Sequence, residues 1–383
     1  MKPIRILVTG GGSAGHISPA LAVIQTIQQI APAQKLAPQF LYLGGRRGLE
    51  EEQVTRAGID FAGVETGKLR RYFSWQNFTD AGRVPLGVLQ AMGIVRRFRP
   101  DVIFSTGGYV SVPPVMAARL LRIPILIHEQ TVQVGLANRI AARCATKIAL
   151  SWESAMPDLS LHLQSKAFVT GNPVRPQIFN GNKNEANRFY NFPDEDLPGL
   201  YITGGSQGSR LINRAVEEAL PELLKACRIV HQCGKQPDGQ EQDYDRLEKA
   251  VQKLPSELAG RYRFTNYVRE EINHVFAWAD LVLSRAGAGT VSELCVLGKP
   301  AVYVPLVPTG GDEQTRNAQM GERVGAAKII KQSECNAARL LEELPPLLKD
   351  GARLANMSAA AQTLARPNAA ETLAQTVLEL AHE

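Results

Sequence analysis

Ile6-Leu7-Val8-Thr9-Gly10-Gly11-Gly12 opens the chain, and Leu200-Tyr201-Ile202-Thr203-Gly204-Gly205-Ser206 repeats its form in the second half. Each is an apolar run ending on Thr that feeds a glycine turn. That is the pattern of a buried parallel strand passing into a ligand-facing loop. Outward from these two starts, short β-branched runs alternate with longer amphipathic segments. In the first half the runs are Ile4 to Thr9, Phe40 to Leu43, Val102 to Ser105, Ile123 to His128 and Ile148 to Leu150. In the second they are Leu200 to Thr203, Ile229 to Gln232, Tyr262 to Thr265, Leu281 to Ser284 and Ala301 to Val304. Strand and helix in alternation predict an α/β protein with parallel sheets wrapped by helices. The restart after the polar, Asn-rich stretch Asn180 to Asp196 predicts two doubly wound, Rossmann-like domains facing a central cleft. The boundaries expected are 1–165, 166–350 and an Ala-rich helical segment, 351–383, packed near the domain junction and kinked or divided at Pro367.

At 383 residues, with 44% hydrophobic and 21% charged residues, the chain suits two globular domains and excludes a disordered or fibrous protein. The net charge of +6 is unevenly held: residues 1–165 carry 18 Lys+Arg against 10 Asp+Glu, and the remainder 25 against 27. The excess points to an anionic partner for the first half, either membrane headgroups, nucleic acid or a phosphorylated substrate. The 5 cysteines lack CxxC spacing, so reduced thiols are expected and neither a disulfide framework nor a zinc site. No signal-peptide pattern opens the chain and no stretch is apolar enough to span a bilayer, so any membrane contact is expected to be peripheral.

Gly10, Gly12 and Gly15 satisfy G-x-G-x-x-G between a strand and a helix that Pro19 helps to start. In that setting backbone N–H groups and the helix dipole meet a phosphate. A dinucleotide site also wants an acidic residue after the second strand. Gly44-Gly45-Arg46-Arg47 stands there instead, which suits only a 2′-phosphate and keeps an NADP oxidoreductase as a minor reading. His16 follows the turn directly and is a candidate to exchange a proton or hold a phosphate. Further turns at Thr106-Gly107-Gly108-Tyr109-Val110-Ser111 and Gly204 to Ser209 suggest two phosphate-bearing ligands, one per domain. His128-Glu129-Gln130 ends another strand, and Glu129 is a candidate to orient a histidine or accept a hydroxyl proton. In Ser284 to Glu293 small residues let backbone approach a ligand, with Glu293 placed for ribose hydroxyls. Asp312, Glu313, Gln314 and Asn317 follow where a hexose can be hydrogen-bonded.

Taken together, Gly-Gly-x-Ser-Ala-Gly-His-Ile-x-Pro-Ala-Leu-Ala from Gly10, Gly107-Gly108-Tyr109-Val110-Ser111, His128-Glu129-Gln130, Gly171-Asn172-Pro173-Val174-Arg175, Gly204-Gly205-Ser206-Gln207-Gly208 and Arg285 to Glu293 resemble the MurG family in order and over nearly the whole chain. The resemblance implies a GT-B fold and an inverting transfer of N-acetylglucosamine from UDP-N-acetylglucosamine to lipid I, giving lipid II for peptidoglycan. It implies Ser13, Ala14 and Gly15 near the donor sugar, Arg175 and Ser206 near the nucleotide and its phosphates, and Val268 beside the uracil. Ala286, Gly287, Ala288, Gly289, Thr290 and Val291 would hold the diphosphate, Glu293 the ribose and Gln314 the sugar hydroxyls. His16 and Glu129 are the candidate catalytic groups, and Gly107, Gly108, Tyr109, His128, Thr131 and Asn138 the candidate acceptor contacts. Thr131 stands where the family commonly has Asn, and the loop Pro308 to Gln314 departs from the usual form.

Between Lys68 and Arg99 the residues Tyr72, Phe73, Trp75, Phe78, Leu86, Val88, Leu89, Met92, Ile94 and Val95 are interleaved with Lys68, Arg70, Arg71, Arg83, Arg96, Arg97 and Arg99. Such interleaving suits an anionic headgroup layer at the cytoplasmic face of the plasma membrane, and no nucleic-acid motif accompanies it. Asp194-Glu195-Asp196 reads as a solvated loop, so neither a metal nor a cofactor is expected. The residues are also compatible with a related glycolipid glycosyltransferase acting on another acceptor, and with a non-catalytic nucleotide-binding regulator.

Overall fold

The apolar runs form two all-parallel sheets. The computed structural model describes residues 1–46, 48, 50–67, 76–237, 239–308 and 312–382. It divides into two compact units, the first comprising Met1–Pro176 with the chain from Arg366 onward, the second Gln177–Ala365.

In the first unit the strands are β1 (Lys2–Thr9), β2 (Leu36–Gly45), β3 (Asp60–Val64), β4 (Val102–Ser105), β5 (Ile125–Glu129), β6 (Lys147–Leu150) and β7 (Ala167–Val169). Their order across the sheet is β3-β2-β1-β4-β5-β6-β7. Successive side chains point to opposite faces, as a strand requires. Ile4, Ile6 and Val8 pack under the helices Ala14–Ile30 and Ala369–Leu380. Leu7, Ile103 and Ile127 lie on the other face with Val88, Val95 and Val115. The order reverses between β1 and β4, whose ends align with Thr9 opposite Ser105. Ligands of such sheets bind at this reversal.

The second unit repeats the scheme with β8 (Gly199–Thr203), β9 (Arg228–Gln232), β10 (Tyr262–Thr265), β11 (Leu281–Ser284), β12 (Ala301–Tyr303) and β13 (Ala327–Ile329), in the order β10-β9-β8-β11-β12-β13. Its reversal lies between β8 and β11, where Thr203 stands opposite Ser284. Leu200, Ile202, Leu281 and Leu283 form a core with Val216 and Leu220 of the helix Arg210–Leu223 and with Leu340 and Leu344 of Ala337–Lys349.

The unit limits differ from the expected 165/166 and 350/351. β7 pairs with β6 and keeps the chain through Pro176 in the first unit. The terminal segment is divided, with Pro367 between its helices Gly351–Thr363 and Ala369–Leu380. The former packs on the helix Ala288–Val296 of the second unit. The latter buries Leu373, Ala374 and Val377 in the core of the first.

Candidate functional site

In the first unit the glycine turn after β1 is anchored from below and from the side. Gly10 and Gly12 take φ of 158° and 86°, and Gly11 N donates to Gly107 O at 3.2 Å. Gly12 N donates to Glu50 Oε1 at 2.6 Å, and Glu50 has no exposed surface. A Cβ on Gly11 or Gly48 would overlap the Glu50 carboxylate, and one on Gly12 would strike the Tyr109 ring. Only glycine lets the turn pass between these groups. Sequence reasoning missed Glu50, which lies 38 residues from its partner Gly12 with no local pattern to mark it.

This anchoring occupies two of the amides of the first turn that were expected to meet a phosphate. Those of Gly11 and Gly12 are already bonded, and the Glu50 carboxylate stands where a dinucleotide phosphate would need positive potential. The NADP reading loses its physical basis here. The helix starts at Ala14 with Ser13 as its N-cap, so Pro19 lies inside it and leaves the Gly15 carbonyl without an i+4 donor.

His16 is half-buried, with Nδ1 at 2.9 Å from both Thr106 O and Gln130 Oε1. Thr106 Oγ1 donates back to His16 O at 2.7 Å. Because carbonyl oxygens only accept, Nδ1 carries the proton, and in the neutral ring Nε2 holds the lone pair. A Cβ on Gly108 would come within 3.1 Å of His16 Cδ2, so the Gly107-Gly108 turn, with φ of 86° and 79°, lies directly against this ring.

Glu129 does not supply a second base. Its Oε1 accepts from Thr131 N and lies 3.0 Å from Thr131 Oγ1, while Oε2 accepts from Gly135 N and from Asn138 Nδ2, both at 2.9 Å. Three N–H donors around a buried carboxylate make it the staple of the segment from Thr131 to Asn138. Thr131 takes its place through that carboxylate.

His128 likewise has no surface to offer an acceptor, because it is fully buried. Its Nε2 donates to Gly171 O at 3.0 Å, and burial lowers its pKa to about 4, so the ring stays neutral. Asn138 is buried too, but its Oδ1 has no hydrogen-bond partner among the described residues, and a Cβ on Gly107 would lie 2.8 Å from that oxygen.

In the second unit Gln232, at the end of β9, ties two loops together. Its Nε2 donates to Gly205 O at 2.8 Å and to Thr203 Oγ1 at 3.2 Å, and its Oε1 accepts from Val268 N at 2.9 Å. The turn bearing exposed Ser206 and the loop bearing Val268 are therefore set by one side chain. The strand also carries Arg228 and His231, so no apolar run singled Gln232 out in the sequence.

The turn after β11 is open. Among the described residues a Cβ on Gly287 or Gly289 would meet nothing within 4 Å, so the N-terminus of the helix Ala288–Val296 presents backbone and dipole. Val291 is buried beneath it and Glu293 is half-buried on the same helix. Arg285 turns away, donating to Val304 O, Pro305 O and Gln332 Oε1. Asn317 is buried and donates to Ala286 O at 3.2 Å, so it supports the turn and not a hexose. Gln314 Oε1 accepts from Leu306 N at 3.0 Å. Thr309 to Gly311, within the loop Pro308 to Gln314, lie outside the described residues, as do Lys68 to Trp75. Arg175 is half-buried on the segment after β7, and Glu195 pairs with Arg261 at 2.6 Å.

Residues 6–150 match the model of the glycosyltransferase family 28 N-terminal domain, and 199–373 that of its C-terminal domain. A UDP-N-acetylglucosamine:N-acetylmuramyl-(pentapeptide) pyrophosphoryl-undecaprenol N-acetylglucosamine transferase of Clostridium perfringens is 36% identical over 357 residues, 93% of each chain. A second transferase of that name from Bacillus cereus is 38% identical over 345 residues, 90% of this chain and 91% of its own. The crystal structure of Acinetobacter baumannii MurG superposes with a TM-score of 0.74 at 26% identity, covering 98% of this chain and 100% of that one.

The chain belongs to the MurG family.

Within this family's frame the turns at the two sheet reversals carry the glycine motifs. The MurG-like motif His128-Glu129-Gln130 divides its work: two side chains brace the loops and Gln130 touches His16.

Proposed function

We propose that this protein transfers N-acetylglucosamine from UDP-N-acetylglucosamine to the muramyl 4-hydroxyl of lipid I, yielding lipid II for peptidoglycan synthesis. The observation that carries the proposal is the full-length likeness to transferases named for that reaction, 36% to 38% identical with both domains matched. In this scheme the first unit takes the acceptor and the second the donor. His16 Nε2 accepts the proton of the acceptor hydroxyl, and the oxygen attacks the anomeric carbon from the face opposite UDP. The C1–O bond to UDP breaks, its electron pair leaves with the diphosphate, and the sugar inverts. The N-terminus of Ala288–Val296 supplies donors for the diphosphate charge, which favours departure without a covalent intermediate. Glu293 holds the ribose, Ser206 and Arg175 serve the nucleotide and its phosphates, and Gln314 serves the sugar. Tyr109 and Asn138 serve the acceptor.

The same proposal sets the enzyme peripherally on the anionic cytoplasmic leaflet. No helix among the described residues is long and apolar enough to cross a membrane. Leu86 and Leu89 of the helix Gln76–Phe98 and Leu120 at the end of its packing partner Val112–Leu120 are exposed, with exposed Arg96, Arg97, Arg119 and Arg122 on the same two helices and the turn after them. Leucines among arginines suit insertion at a headgroup boundary. Incubation with lipid I and UDP-N-acetylglucosamine tests the activity. Chromatographic appearance of lipid II with stoichiometric UDP is expected, and its absence from folded, UDP-binding protein rejects this acceptor.

A further inference from the structure

We propose that Gln130 is a positioning residue for His16, a neutral amide in the orienting place that a carboxylate fills in many histidine-based catalytic sites. The proposal rests on His16 acting as the base of the transfer, and its argument begins deeper in the protein. Gly171 O can only accept, so His128, 3.0 Å away through Nε2, carries its proton there. Ser151 Oγ, 3.2 Å from the same nitrogen, spends its own proton on Glu129 O at 2.8 Å and so accepts as well. His128 Nδ1 is therefore the lone-pair nitrogen, and it faces Gln130 Nε2 at 3.3 Å.

That amide nitrogen also lies 2.5 Å from Thr106 O and 3.1 Å from His128 O. A flipped amide would set oxygen against two carbonyls and a lone pair, so one orientation remains. It turns Oε1 to His16 Nδ1 at 2.9 Å, beside Thr106 O at the same distance. Gln130 supplies one of the two acceptors for the His16 proton and braces the other. The tautomer that leaves Nε2 as the lone-pair atom follows from a chain starting at a main-chain carbonyl.

The other titratable groups around this ring are few. Glu50 lies beneath the Gly11-Gly12 turn, Tyr109 over Gly12, and His128 beyond Gln130. Glu51, Glu52 and Arg56 of the helix Glu50–Arg56, and Glu371 and Glu379 of Ala369–Leu380, are exposed to solvent. The group bonded to His16 is thus uncharged. A carboxylate there would stabilise the imidazolium and move the loss of base activity to higher pH.

Gln130→Glu tests this in the full-length protein, with ¹⁵N-histidine NMR reading the His16 titration and tautomer and a pH profile of kcat reading the reaction. An upward shift of the His16 midpoint with an equal shift of the acid limb supports both the positioning and the base. An upward midpoint with an unmoved limb keeps the positioning and removes the base role. An unmoved midpoint in protein that binds UDP normally overturns the proposal. Should Gln130→Glu not fold, Gln130→Leu serves: a rise in the Nε2–H tautomer and a kcat loss of about 10- to 100-fold at unchanged donor KM are expected. An unchanged tautomer there also overturns it.

Discussion

His16 Nδ1 lies 2.9 Å from the main-chain carbonyl of Thr106, which fixes the proton on that nitrogen and leaves the lone pair on Nε2, the atom proposed as the base. General base catalysis typically contributes about 10²- to 10⁴-fold, so His16→Ala lowers kcat by that order while UDP affinity stays near wild type. If His16 holds the acceptor diphosphate instead, His16→Asn restores much of the rate and the loss in His16→Ala falls on acceptor KM. Wild-type kcat together with wild-type acceptor KM in His16→Ala removes both roles.

Glu50 is expected to matter through its acceptor atom on Gly12 N. Glu50→Gln keeps an oxygen for that bond, whereas Glu50→Ala removes the acceptor from Gly12 N and leaves a cavity where the buried side chain stood, costing about 1 to 3 kcal/mol. Thermal unfolding should therefore show a clear drop for Ala and a small one for Gln, with acceptor KM following the same order. Equal drops for the two variants would mean that the carboxylate's charge, not its hydrogen bond, sets the turn.

Leu86, Leu89 and Leu120 are the exposed apolar residues assigned to the membrane face. Replacing all three by Ser removes apolar insertion of about 1 kcal/mol each, so sedimentation with anionic vesicles should weaken by roughly 100-fold. Turnover of a short-chain, water-soluble acceptor should persist. Vesicle binding that survives intact moves the membrane surface elsewhere on the protein.

The buried histidines make stability pH-dependent. His128 titrates near 6.5 in the unfolded chain and at about 4 in the fold, and His231, buried in the second unit, at about 3. Between these values the unfolded state binds the proton and the native state does not, so stability falls as pH drops below about 6.5. The slope is about 1.4 kcal/mol per pH unit for each histidine. Calorimetric scans at pH 7.5 and 5.5 should show the Tm falling, and His128→Gln should flatten that dependence for the first unit. An unaltered dependence in the variant would assign the slope to other groups.

The central strands were legible because they are buried on both faces and read as continuous apolar runs. β3, β7 and β13 were not: each is a partly exposed sheet edge, and unlike β10, an edge whose Tyr262-Arg263-Phe264-Thr265 alternates aromatic and polar residues, none of them carries a marked strand pattern. The return of Ala369–Leu380 to the first unit was illegible for another reason: its apolar face does not name its partner. At the site the glycine turns were readable as turns. What sequence could not show is which polar groups are already bonded. Glu129 reads as a candidate base until its three N–H donors are seen, and Glu50 and Gln232 act on turns distant in the chain.

The donor face gives the sharpest separation of folding from binding. Among the described residues, nothing beyond its own helix backbone and chain neighbours lies within 4 Å of a Cβ added at Gly289, in the first turn of the helix Ala288–Val296. Gly289→Ala should therefore fold normally, with a Tm equal to or above wild type, because Ala is the better helix former by up to about 1 kcal/mol. If the donor diphosphate approaches this backbone, the added methyl obstructs it and affinity for UDP-N-acetylglucosamine falls by about tenfold or more. Glu293→Ala, four residues on, loses charge-assisted bonds to the ribose worth about 1.5 to 3 kcal/mol, or roughly 10- to 150-fold in affinity, with little effect on the chemical step. Isothermal titration of the two variants with UDP and UDP-N-acetylglucosamine separates the contributions. A Gly289→Ala protein that binds both as well as wild type would show that the diphosphate does not rest on this helix. Unchanged affinity in Glu293→Ala would remove the ribose contact.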